Sequence, residues 1–208
     1  MLQNRVDPWG RLIAVSSRGT LMGNRGILHD GDQAVVREWA HKHWVACVLE
    51  FKGIKRAKPF STLNNYSELF FLDEATALSA GHRPCHHCQR LRSAAFKTAW
   101  LKGSQHTDFI SMPAIDAALH SERVRQGGSK VKFAAPWSAL PVGTMFEKDG
   151  EAYVVARTGN LKWSFDGYMK VASFHARQTV EVLTPRSIVN AFTHGFEPML
   201  HPSAATAT

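Results

Sequence analysis

Phe71-Leu72-Asp73-Glu74-Ala75-Thr76-Ala77-Leu78-Ser79-Ala80-Gly81-His82-Arg83-Pro84-Cys85-His86-His87-Cys88-Gln89 is the stretch on which the fold turns: a short helical segment, a glycine stop, and two cysteines with two residues between them. Asp73 and Glu74 favour a helix N-terminus, the alanines and Leu78 fill the helix, and Gly81 closes it. A second helix is predicted from Pro84 or Cys85 to about Trp100, with Leu91, Ala94, Ala95, Thr98 and Ala99 facing inward. Two thiolates at the Cys85/Cys88 spacing can share one tetrahedral Zn²⁺, because a turn brings both sulfurs to about 2.3 Å from one point while backbone N–H groups stabilise their charge.

One pair is half a site. His43-x-x-x-Cys47 supplies an imidazole and the remaining thiolate, which gives a Cys₃His set of His43, Cys47, Cys85 and Cys88. His41 is the closest rival to His43, and His82, His86 and His87 are also near in sequence. Residues between the thiols of such a knuckle usually face outward, which sets His86 and His87 aside. The three cysteines of the chain cannot all pair within one monomer, so metal ligation suits them better than a disulfide.

Outward from this region the charge is uneven. The 208 residues carry 25 Lys plus Arg against 17 Asp plus Glu, a net charge of +8. Residues 1–104 hold 15 basic and 8 acidic side chains, whereas residues 105–208 hold 10 and 9. A one-sided excess suits a surface facing a polyanion, since each phosphate neutralised releases counterions. Arg18, Arg25, Lys52, Lys55, Arg56, Lys58, Arg83 and Arg90 are therefore the expected DNA-phosphate contacts. The Gly- and Arg-rich segment 9–32 reads as a surface loop after a strand at 12–15. Within it Asn24, His29 and Asp30 are the candidate catalytic residues, able to orient or deprotonate a nucleophile.

Further strands are expected at 44–51, in a hairpin at 144–146 and 152–156 around Asp149-Gly150, and at 179–183. Helices are expected from Ser111 and Pro113 to about Glu122, and from Pro185 to Phe192. The tail after Pro202 reads as frayed. Trp137, Trp163, Phe165 and Tyr168, interleaved with Lys162 and Lys170, suit burial in a small β-structure better than base stacking. Asp116 and His120 share a helix face and read as a solvated pair, with a second metal or acid–base pair as the alternative. The fold class is α+β: a basic zinc module in 1–104, then a helix-linked, mainly β region in 105–208. No run approaches the ~20 apolar residues of a membrane span, and the first residues lack a secretory apolar run, so a cytoplasmic protein without a membrane partner is expected.

The order of aromatic residue, alanine-rich helix with glycine stop, and Arg-Pro-Cys-x-x-Cys resembles the second half of the Ada-type zinc-binding domain, which repairs methylphosphotriesters in DNA. With His43 and Cys47 the resemblance spans about residues 42–91. It implies a zinc cofactor and a DNA partner. Ada-type domains use Cys-x-x-x-Cys as the first ligand pair, and its first thiolate accepts the methyl group; His43 stands at that position here, and a zinc-bound imidazole cannot perform that alkylation. The leading reading is a zinc-containing DNA-binding protein that processes damaged or modified DNA, by base excision or strand cleavage if catalytic. Pro84-Cys85-x-x-Cys88 is also half of a zinc-deaminase signature, with Glu50 or His120-Ser121-Glu122 as imperfect sources of the remainder. A non-catalytic DNA-binding regulator is the third reading.

Overall fold

Apolar runs of the first half pair into one sheet of strands no longer than four residues in the computed structural model, which describes residues 1–53, 60–105, 110–172, 174–175 and 177–207. The strands are β1 (Arg5–Val6), β2 (Leu12–Ile13), β3 (Leu21–Asn24), β4 (Val45–Val48), β5 (Leu69–Phe71) and, after helix α1 (Glu74–Ser79), β6 (Arg83–Pro84). Their order is β2-β1-β5-β3-β4-β6. β4 runs antiparallel to β3, with Met22 opposite Cys47, and parallel to β6, with Ala46 opposite Pro84.

Helices α2 (Arg90–Gly103) and α3 (Met112–Arg123) lead to a second sheet of β7 (Phe133–Pro136), β8 (Met145–Lys148), β9 (Glu151–Ala156), β10 (Gly159–Ser164), β11 (Gly167–Lys170) and β12 (Thr179–Val182). Its order is β11-β10-β9-β8-β12-β7 and every pair is antiparallel. The β8–β9 hairpin turns through Asp149 and Gly150 at φ 52° and 79°, the left-handed pair that a tight two-residue turn requires. Helices α4 (Arg186–Thr193) and α5 (Ser203–Thr206) complete an α+β fold.

α1 joins these parts because it is buried along its whole length. On one side Leu72 and Ala75 pack with Met145, Val154, Leu161 and Trp163 of the second sheet. On the other, Leu78 packs with Phe96, Trp100, Ile115, Leu119 and Phe192 of the helices. Asp73, its N-cap, accepts from the Thr76 amide at 2.8 Å and the Thr76 hydroxyl at 2.7 Å. Its other oxygen accepts from Tyr168 Oη at 2.7 Å and the His201 amide at 2.9 Å, so one carboxylate ties α1 to β11 and the C-terminal segment.

Three expectations need correction. α2 begins at Arg90 rather than Pro84 or Cys85, because residues 83–84 are taken into the sheet as β6 and the Cys85 amide donates to Ala46 O at 2.8 Å. Its buried face is Ser93, Phe96, Ala99 and Trp100, while Leu91, Ala94, Ala95 and Thr98 are exposed: two large aromatics one turn apart outweigh the small residues in choosing the inward stripe. The tail is not frayed, since α5 lies against β11, with Ser203 Oγ accepting from the Tyr168 amide at 2.9 Å and Ala204 packed into the second-sheet core.

Where β4 begins, Trp44 is stacked between two buried guanidiniums, with Arg25 Cζ 4.0 Å and Arg123 Cζ 3.9 Å from its ring centroid. Arg123 donates to Gly81 O at 2.8 Å and Lys42 O at 2.7 Å. Gly81 has φ +89°, and a Cβ there would lie 2.4 Å from Arg123 Cδ, so only glycine fits. Arg25 Nε donates to His82 Nε2 at 3.3 Å, which requires His82 to be neutral. Burial first, then Arg25 and Arg123, hold the His82 imidazole well below its ordinary 6.5. The unfolded chain takes up this proton as pH falls through about 6.5 and the folded chain does not, so stability is lost on acidification. His82→Gln, which keeps an acceptor but does not titrate, is expected to flatten the fall in stability between pH 7 and 5 by up to about 1.4 kcal/mol per pH unit, measured as urea unfolding of both proteins across that range.

Candidate metal centre

The pairing of β4 with β6 determines where the cysteines meet. Cys47 lies on β4, and Cys85 follows directly on β6. Ala46 O accepts both the Cys85 amide at 2.8 Å and Gln89 Nε2 at 2.9 Å, which laces the knuckle to the strand next to Cys47. The Gln89 amide returns to Cys85 O at 2.9 Å and opens α2. The Sγ atoms of Cys47, Cys85 and Cys88 consequently lie within 4.8 Å of one another. A tetrahedral ion with sulfurs at about 2.3 Å holds them about 3.8 Å apart, so the cluster can close on one ion with small side-chain movements.

The surroundings favour one ionised sulfur, that of Cys85. Backbone N–H groups of His87 and Cys88 donate to Cys85, and that of Val48 donates to Cys88. The Cys47 thiol donates to Cys85, and this contact, ahead of burial, pushes the Cys47 thiol up while it brings Cys85 down to about 5. Burial, followed by the nearby Cys85, raises Cys88. Three sulfurs this close cannot all carry charge on their own, so a proton stays among them; a divalent cation removes that conflict.

His43 does not join the sulfurs. Because the chain is extended into β4, four residues carry it about 13 Å, which parts His43 from Cys47. The His43 ring instead has Nδ1 2.7 Å from Asp116 Oδ2. Asp116, buried on α3, also takes Arg83 through two bonds of 2.7 Å each. His41 is exposed, its ring 5.9 Å from that of His43. Among the described residues, no imidazole or carboxylate belongs to the sulfur cluster. Glu50 is exposed, and Glu122 accepts from the Ser187 amide and hydroxyl, so neither supplies the expected deaminase carboxylate to it. His86 and His87 face solvent, as expected of residues inside the knuckle.

The expected DNA contacts separate into two groups. Arg18, Lys52 and Arg90 are exposed. Arg83 is spent on Asp116 and Arg25 is buried against Trp44, so neither is a surface phosphate ligand. Lys55, Arg56 and Lys58 lie outside the described residues. Of the candidate catalytic residues, Asn24 and Asp30 bond within their own segment and His29 ties it to residues 62–67. Asn24 Oδ1 accepts from the Gly26 amide, Asp30 Oδ1 from the amides of Asp32 and Ala34, and the buried His29 ring lies 2.5 Å from Ser67 Oγ and 3.2 Å from Thr62 O. Asp116 is no solvated partner of His120, whose ring packs against Trp39 and Trp44.

Sequence reasoning missed Phe51 and the groove beside it. This groove, about 630 Å³, runs from Phe51 past Cys88 to the first turn of α2. Lys52, His86, His87 and Arg90 line it together with Phe51, and among the described residues no carboxylate does. The His87 ring meets Phe51 edge-on at 5.1 Å. Among the described residues no helix is long and apolar enough to cross a membrane. Comparison with protein-family models, curated proteins and solved structures finds no match for this chain.

These positions give a direct test of the ligand set. Cys47→Ser is expected to weaken metal binding by more than the 10- to 100-fold typical of losing an outer-shell partner, whereas His43→Ala retains the ion, both read as metal per chain after dialysis against a graded chelator. Loss of metal in His43→Ala would place the imidazole in the site.

Proposed function

We propose that the chain is a zinc-containing protein that binds DNA along the groove beside its three cysteines and acts on damaged or modified DNA. Zinc is the ion that best suits three thiolates braced by backbone N–H groups, because soft sulfur ligands and tetrahedral geometry favour it over oxygen-seeking cations. Its role here is to hold the knuckle against β4 and so present the start of α2.

The observation that carries the DNA reading is the composition of the groove: Lys52, Arg90 and two histidines, with no carboxylate lining it among the described residues, around the half-buried ring of Phe51. Cations in such a groove neutralise phosphate, and an aromatic face can take an unstacked base. The charge excess of residues 1–104 supports the same partner. The resemblance of residues 42–91 to the Ada-type domain supports damaged or modified DNA as the target. Methyl transfer to a thiolate at position 43 is not part of the proposal, since His43 stands there, bonded to Asp116.

Two measurements test this reading. Exchanging Lys52 and Arg90 for Glu together is expected to weaken binding of a short duplex or single strand by at least about tenfold near 0.1 M salt, and to reduce the slope of log K against log salt by about 2. Incubation with oligonucleotides carrying uracil, abasic, alkylated or oxidised sites is expected to give product from at least one. Binding without conversion would leave a regulator, and salt-independent or absent binding would remove DNA as the partner.

A further inference from the structure

On the side of the sheet where β4 begins, the loop between β1 and β2, the residue after β3 and the turn at 127–130 enclose a cavity of about 700 Å³. Trp9, Gly10 and Arg11 form one wall, Gly128 and Lys130 the other, and Arg25 the floor. Arg25 is 2% exposed, and its Nη2 is buried without a hydrogen-bond partner, 3.5 Å from where a Cβ on Gly10 would sit. A guanidinium N–H removed from water and left unbonded is costly, so a fold that keeps one at a cavity floor provides a place for an acceptor.

The charges around it reinforce the point. Lys130 is anchored at a bridge to Val124 and turns its ammonium inward onto Ser79 O. Arg123 lies across Trp44 from Arg25. Among the described residues none of these three cations has a carboxylate within salt-bridge distance, although Arg11, Arg83 and Arg92 each do. Burial lowers Arg25 and Arg123 to about 9 and Lys130 to about 7, with Arg25 adding to the effect on both of the others. The acids nearest Arg25 are Asp7, which is held by Arg11, and the exposed Glu38 at the cavity rim. Positive charge is therefore gathered at the cavity, with Glu38 and Asp7 near enough to act on it but neither in salt-bridge contact with Arg25 or Lys130.

We infer that this cavity binds a small ligand bearing an oxyanion, a phosphate or a carboxylate, whose charged group lodges against Arg25 and Lys130. The volume suits a ligand of nucleotide or metabolite size. The guanidinium edge and the ammonium both line the cavity and supply donors, and the stack on Trp44 holds the Arg25 plane in one orientation, so little order is lost when the anion arrives. Glu38 at the rim opposes anions and limits the charge that can enter. The inference depends on neither the metal centre nor DNA binding, since the cavity shares no lining residue with the groove at Cys88.

Calorimetric titration of the full chain with inorganic phosphate, adenosine monophosphate and malonate tests it. At least one probe is expected to bind with a millimolar or lower dissociation constant; phosphates alone would assign a phosphoryl ligand, and malonate alone a carboxylate. Lys130→Met is expected to weaken that binding at least tenfold, and Glu38→Gln to tighten it severalfold, an opposition that a general loss of folding does not produce. The Lys52→Glu, Arg90→Glu protein is expected to bind the probe as the unmodified chain does, which separates this site from the DNA groove. No binding of any probe, or equal binding by the unmodified and Lys130→Met proteins, would overturn the inference.

Discussion

Three sulfurs held within 4.8 Å of one another cannot all be thiolates unless a cation shares their charge, and the first sheet is arranged around that constraint. Cys47 comes from β4, while Cys85 and Cys88 come from the turn after β6. The two strands are only four and two residues long, too short for their ladder alone to be robust. A shared ion would cross-link them at the point where the chain leaves the sheet for α2. The proposed zinc thus braces the same turn that presents Arg90 and the histidines to the groove.

The opposite end of β4 is braced differently. There Trp44 lies between Arg25 and Arg123, with His82 kept neutral beside them, so the strand is fixed by stacked cations where it begins and by sulfur where it ends. Buried cations without carboxylates cost stability that apolar packing does not, and such arrangements recur where a ligand completes the charge balance. One short strand thereby relates two sites of different chemistry, a groove beside soft thiolates and a cavity floored by guanidinium.

Local chemistry made part of this legible from sequence. The glycine stop, the turn between Cys85 and Cys88 and the Asp149-Gly150 hairpin depend on neighbouring residues, and the structure places them as read, although Arg83-Pro84 before the turn form a strand and the helix after it starts only at Arg90. Cys47 was legible because few thiols were available to complete the pair. His43 was grouped with Cys47 by sequence proximity, but the strand that the β-branched Val45 and Val48 favour carries the two apart, and the structure brings the imidazole to Asp116 instead. Arg25 and Arg83 were misread for a different reason: whether an arginine is a surface cation or an interior one depends on Asp116, Trp44 and His82, which lie up to 57 residues away in sequence. Their burial also means that the charge excess of the first half overstates what its surface presents. The partners of Asp73 at Tyr168 and His201 were equally beyond local reading.

X-ray absorption fine structure at the zinc edge, on protein purified without added metal, tests the central claim most directly. The account predicts one ion with three sulfur neighbours near 2.3 Å and one lighter neighbour near 2.0 Å. An ion surrounded only by nitrogen and oxygen, or protein that carries no metal and does not take it up, would contradict it.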